Sequence, residues 1–161
     1  INLYFEAHTL WPQVVMTHLV SFISHGVFDK FPGLKLLLIE AGSAWLPPLL
    51  WRFDTEYKGL RREVPWLTRL PSEYVAEHVW LTTQPLEVSP RKQQAAELLS
   101  WIDGGHKLVY SSDYPHWDAD EIDYIAARLP PAWHRQVFFG NALDFYGWTE
   151  ADLPAAVAAD A

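Results

Sequence analysis

The chain contains no cysteine and a single methionine among its 161 residues. The missing thiols exclude disulfides, thiolate zinc sites and a cysteine nucleophile, so any metal has to be held by imidazole and carboxylate groups. Basic side chains are also scarce: 12 Lys and Arg stand against 20 Asp and Glu, a formal net charge of -8, with a pI near 5.2. Nucleic-acid affinity needs clustered cations that release counterions, and here basic residues are scattered, with Arg61-Arg62 the densest pair. Long apolar runs are missing as well. Glu40, Pro47, Pro48 and Arg52 interrupt the apolar stretches well short of the roughly 20 residues that cross a bilayer. No basic segment followed by an apolar one opens the chain, so no signal peptide is expected. These absences predict a cytoplasmic protein that engages neither nucleic acid nor membrane.

What remains is a hydrophobic half, ample for one core, and residues 1–161 are expected to form a single domain. Nine tryptophans, seven tyrosines and eight phenylalanines supply area for that core and for subunit interfaces. Leu10, Val14, Val15, Leu19, Phe22 and Ile23 recur at helical spacing, which predicts a helix from a Thr9 cap to about Ser24, with Pro12 in its first turn. Ser43 is expected to cap a helix through Phe53, and Pro71 to open a short one. Ser89 and Pro90 are expected to open a helix that Gly104 and Gly105 end. Residues 57–69 read as a polar insertion, 120–128 as a helix, 133–146 as a closing amphipathic helix, and 151–161 as a loosely helical tail.

Three apolar segments read as strands, and each hands a polar residue to its C-terminal end. Residues 34–39 lead into Glu40, residues 79–83 into Gln84, and residues 107–110 into the turn Ser111-Ser112-Asp113-Tyr114-Pro115-His116. Parallel α/β folds place their chemistry at that edge, so the pattern predicts an active-site rim. The alternation with helices predicts a parallel sheet. Three strands alone would leave an unpaired edge, which makes a weak N-terminal strand or membership of a larger barrel the two alternatives.

The run from Gly26 to Leu36, with Glu40-Ala41-Gly42-Ser43-Ala44-Trp45-Leu46-Pro47 and Arg52-Phe53-Asp54, resembles the sixth-strand region of the amidohydrolase-related metal-dependent hydrolases and decarboxylases. Ser112-Asp113-Tyr114-Pro115-His116 is similar to their eighth-strand motif, and Gly140-Asn141-Ala142-Leu143 with Tyr146-Gly147 to their last helix. The resemblance covers residues 5–148. It implies an α/β fold of the (β/α)8 TIM-barrel type, of which this chain carries strands six to eight. It also implies a divalent metal, usually zinc, with Asp113 as the matching ligand. The ligands expected on the first and fifth strands have no counterpart here, and a barrel needs about 250 residues, so the chain reads as a C-terminal half. Association with a missing N-terminal half, or a homo-oligomer, is expected.

Each site residue keeps an alternative. Asp113 is a metal ligand and proton shuttle, or an Asx-turn acceptor. Glu40 stands where the decarboxylase branch carries histidine; it accepts a substrate proton, or pairs with Arg52 as a rim carboxylate. Arg52 binds a substrate carboxylate through its planar fork, or forms a surface ion pair. His116 and Gln84 contact substrate, or close turns. His8, His18 and His25 lack the spacing of a helical metal site and read as core or surface residues. Two classes of function follow: a metal-dependent hydrolase or decarboxylase acting on a small carboxylated or cyclic compound, and a non-catalytic barrel fragment that acts through association.

Overall fold

The structure is a computed structural model that describes residues 2–87, 89 and 91–154. Three short parallel strands form its centre: β1 (Leu36–Leu38), β2 (Val79–Thr82) and β3 (Leu108–Val109). They pair in sequential order β1-β2-β3, with Leu37 opposite Trp80 and Thr82 opposite Val109. Sequential parallel order is the winding of a barrel; a doubly wound sheet reverses its strand order at a switch point. β1 and β3 are shorter than predicted at both ends, while β2 keeps its predicted start at Val79 and stops one residue early.

Helix α1 (Tyr4–Ser24) begins five residues before the predicted cap. The Glu6 carboxylate accepts the N–H groups of Asn2 and Leu3 at 2.9 and 3.1 Å, closing the helix start, and these bonds hold its pKa below the usual glutamate value. Thr9 is therefore an interior residue, its hydroxyl donating back to the Phe5 carbonyl at 2.7 Å, and Pro12 also lies inside the helix. The second half of α1 packs into the core through Leu19 and Ile23. After it, α2 (Val27–Lys30) buries Phe28, whose ring stacks on His78 at 4.5 Å.

Helix α3 (Leu46–Leu60) starts without a side-chain cap, so Ser43 does not cap it as expected. It also runs into the segment read as an insertion. Tyr57 is buried and donates its hydroxyl to the Leu67 carbonyl at 3.1 Å, while the Trp66 indole N–H reaches the Ser24 carbonyl at 2.8 Å. These aromatics turn residues 57–69 into part of the core. Helix α4 (Pro71–His78) leads directly into β2, which is buried along its whole length, as a central parallel strand should be.

Helix α5 (Lys92–Ser100) follows β2; Pro90, part of its predicted opening, lies outside the described residues. Gly104 and Gly105 do not terminate it but open the short helix α6 (Gly104–Lys107). Side chains there would press on the Trp133 indole, which lies 3.3 and 3.1 Å from their ideal Cβ positions. Beyond β3, α7 (Ile122–Ala126) is shorter than predicted. The expected closing helix is broken into a 3-10 turn, a π-helical turn over Gln136–Gly140 and α8 (Asn141–Tyr146). Asn141 explains why the chain returns here: fully buried, it donates to the carbonyls of Gly105 and Leu108 at 3.0 and 2.6 Å. The predicted helical tail shows a 3-10 turn at Glu150–Asp152, and residues 155–161 lie outside the described ones.

Candidate active site

The C-terminal ends of all three strands open onto one cleft of about 710 Å3. Glu40 follows β1, Gln84 follows β2, and Asp113 and His116 follow β3; all four line it. Glu40 and Asp113 share a backbone feature, left-handed φ angles of 54° and 59°. Non-glycine residues rarely adopt that conformation, and where they do it is held by surrounding contacts. The Glu40 N–H is held by the Thr82 hydroxyl at 3.2 Å. The loop carrying Asp113 is stitched to β2 through Thr83, whose hydroxyl oxygen accepts the Ser111 N–H at 3.1 Å.

His116 Nδ1 lies 2.8 Å from Asp113 Oδ2. Because a carboxylate only accepts, that nitrogen carries the proton. The Asp113 bond and charge, with smaller contributions from Glu40 and Asp118, raise the His116 pKa above the ordinary histidine value. Gln84 is buried, its amide nitrogen donating to the Asp118 carbonyl at 3.3 Å, while its oxygen has no partner among the described residues. Gln84 thereby ties the loop after β3 to the end of β2.

Arg52 is not brought to this site. It lies on the exposed side of α3, paired with Glu56 at 2.9 Å, and does not pair with Glu40. In its place the structure adds residues that strand-end reasoning missed. Tyr4, Ala7, His8, Trp11 and Pro12 form one face of α1 and one wall of the cleft. Glu87, Trp117 and Asp118 complete the lining. The spacing 4, 7, 8, 11 is helical, and it was legible only if the helix began before Thr9. Glu87 accepts the N–H groups of Ser43 and Ala44 at 2.8 and 3.1 Å and so shapes the loop behind Glu40.

Four carboxylates, Glu40, Glu87, Asp113 and Asp118, line the cleft with two imidazoles, His8 and His116. Asp113 offers one carboxylate to a cation, but no three His, Asp or Glu side chains among the described residues are arranged to hold a metal ion. The donors among the described residues do not make a metal site by themselves. No helix among the described residues is long and apolar enough to cross a membrane.

Three parallel strands wound in sequence, with acids and imidazoles gathered at their C-terminal ends, make an α/β arrangement consistent with part of a barrel. The family model described as Amidohydrolase matches residues 2–148, and the chain belongs to that family. It is 26% identical over 140 residues to the gamma-resorcylate decarboxylase of Polaromonas sp. JS666, covering 83% of this chain and 40% of the relative. Among solved structures, the 5-carboxyvanillate decarboxylase of Sphingomonas paucimobilis is 27% identical with a TM-score of 0.67, covering 83% of this chain and 39% of that one. The dihydroxybenzoic acid decarboxylase of Polaromonas sp. JS666, solved with bound manganese and 2-nitroresorcinol, is 25% identical with a TM-score of 0.63, covering 84% and 40%. The chain thus spans less than half the length of the relatives it matches.

Proposed function

We propose that the protein carrying this sequence is a divalent-metal-dependent decarboxylase of small aromatic acids, working at the cleft where the three strands end. The observation that carries the reading is the meeting of Glu40, Gln84, Asp113 and His116, from three separate strands, in one cleft. The decarboxylase relatives and the manganese in one of their structures support it. In this reading the three strands are the sixth to eighth of a barrel. Asp113 supplies one metal ligand, and the other donors come from elsewhere in the assembled protein, with zinc or manganese as the ion.

Electrostatics supports the need for a cation. The cleft wall carries four carboxylates and neither lysine nor arginine among the described residues, so an anionic substrate enters only against a compensating positive charge. A divalent ion held by Asp113 and by donors outside this chain's described residues would supply that charge, and the residues present do the rest. Glu40 accepts the proton of a ring hydroxyl beside the carboxylate, which makes the ring electron-rich. The imidazolium of His116, with Asp113 behind it, delivers a proton to the ring carbon bearing the carboxylate. The bond to the carboxylate then breaks, its electron pair returns to the ring, and carbon dioxide leaves. Glu40 returns its proton to the phenolate, and His116, whose side chain is 64% exposed, recovers its own from solvent.

The test is turnover of hydroxybenzoates in deuterium oxide, with metal content measured on the same sample. The expected result is carbon dioxide release with one deuterium at the vacated ring carbon, and loss of both turnover and bound metal in Asp113→Ala. Hydrolysis of an amide or ester without carbon dioxide release would reassign the protein to the hydrolytic side of its family.

A further inference from the structure

The last residues paired between β2 and its two neighbours are Leu81 with Leu38 and Thr82 with Val109. Where the ladder stops, two side-chain hydroxyls carry the connection on. Thr82 Oγ1 accepts the Glu40 N–H at 3.2 Å and donates to the Gln84 carbonyl at 3.1 Å, so its own proton is engaged and a lone pair is left for Glu40. Thr83 Oγ1 accepts the Ser111 N–H at 3.1 Å and donates to the Ser111 carbonyl at 3.3 Å. Each threonine serves a different neighbour. Both are buried, so replacing a hydroxyl by a methyl leaves the amide opposite without its acceptor. The turns they hold carry the left-handed residues Glu40 and Asp113, a backbone state that persists only where surrounding contacts impose it.

We propose that Thr82 and Thr83 are positioning residues: acting through Glu40 on one side and through the Asp113 turn on the other, they fix the spacing between the group that takes the hydroxyl proton and the group that delivers a proton to carbon. The inference rests on the decarboxylase reading of the cleft. Two proton transfers on one flat ring demand a set distance between the two groups, and a displacement of about 1 Å costs up to about a hundredfold in rate. β2 and its extension end in Thr82, Thr83 and Gln84, none of which ionises. The two roles divide. Thr82 supports the proton acceptor, so its loss falls on ionisation of the ring hydroxyl, whereas Thr83 supports the turn behind His116, so its loss falls on proton delivery.

The experiment compares Thr82→Val, Thr83→Val and the matching serine variants with the wild-type protein, all metal-loaded, by hydroxybenzoate turnover and by amide hydrogen exchange. Exchange at Glu40 should quicken about tenfold in Thr82→Val and exchange at Ser111 in Thr83→Val, the size of one lost hydrogen bond, each variant leaving the other amide unchanged. In either valine variant kcat should fall about ten- to a hundredfold with KM little changed, and serine should restore most of it. The solvent deuterium isotope effect on kcat should rise in Thr83→Val alone, because proton delivery to carbon then limits the rate. Alanine variants stand in where a valine variant does not fold. Wild-type kcat in both valine variants, or a loss that serine does not recover, overturns the assignment. If the wild type releases no carbon dioxide from any hydroxybenzoate, the decarboxylase reading falls; crosswise exchange then keeps the threonines as the holders of the two turns, and uniform exchange removes them as well.

Discussion

Replacing Gly42 by alanine tests how the loop behind Glu40 is held. Gly42 has φ +64°, and an ideal Cβ there would sit 2.0 Å from Glu87 Oε1. The left-handed backbone costs an L-residue about 1–2 kcal/mol. The new methyl also displaces the Glu87 carboxylate from the N–H groups of Ser43 and Ala44, charge-assisted bonds that together contribute about 1–2 kcal/mol at an exposed position. Gly42→Ala should therefore lose about 2–4 kcal/mol in urea denaturation, the sum of the two effects. Glu87→Ala alone should lose about 1–2 kcal/mol, the hydrogen-bond share. The double variant should lose no more than Gly42→Ala, because the clash and the bonds involve the same carboxylate. The expected coupling is about 1–2 kcal/mol. Strict additivity would show that the methyl never meets Glu87 and would refute this account of the loop.

Other expectations concern the core, the rim and the surface. Asn141→Ala should lose about 2–4 kcal/mol by chemical denaturation, since two buried carbonyls are left without donors; a loss below 1 kcal/mol would deny it the link between α8 and β3. In metal-free protein, NMR should place the His116 pKa above that of a free histidine, and Asp113→Asn should bring it down. The sign for stability follows from that raised pKa: the contribution is complete below about 6.5 and is lost as pH rises through the folded value. His116→Gln should therefore lower the melting temperature on the acid side and match wild type on the alkaline side. Leu3 at the cap of α1, Phe5, Trp11 and Val14 on it, and Tyr114 are exposed, so light scattering should find an assembly larger than one chain; a stable monomer at micromolar concentration would count against that.

Hydrophobic periodicity and turn chemistry made much of this protein legible in its sequence. The three strands, the strand-end positions of Glu40, Gln84 and Asp113, and the resemblance of residues 26–54 and 112–116 all come from patterns spanning a few adjacent residues, and local patterns survive folding. Element boundaries were less legible. The Glu6 carboxylate starts α1 early, Tyr57 and Trp66 draw a polar-looking segment into the core, and Trp133 packs on two glycines that read as a helix stop. For Trp66 and Trp133 a contact distant in sequence overrode local propensity, whereas the Glu6 bonds reach back only three and four residues and belong to a local start signal. The same reason separates the two halves of the site. Asp113 and His116 are three residues apart, so their pairing could be anticipated. His8 and Asp118 are separated by 110 positions, and only packing α1 against the loop after β3 brings them to 3.4 Å. Arg52 is the contrary case: its partner Glu56 stands four residues on along the same helix, a local spacing that favours an ion pair. Sequence alone determined which chemistry the strand ends carry; tertiary structure decided which groups share the cleft, because distance across a fold depends on long-range packing that no local pattern encodes.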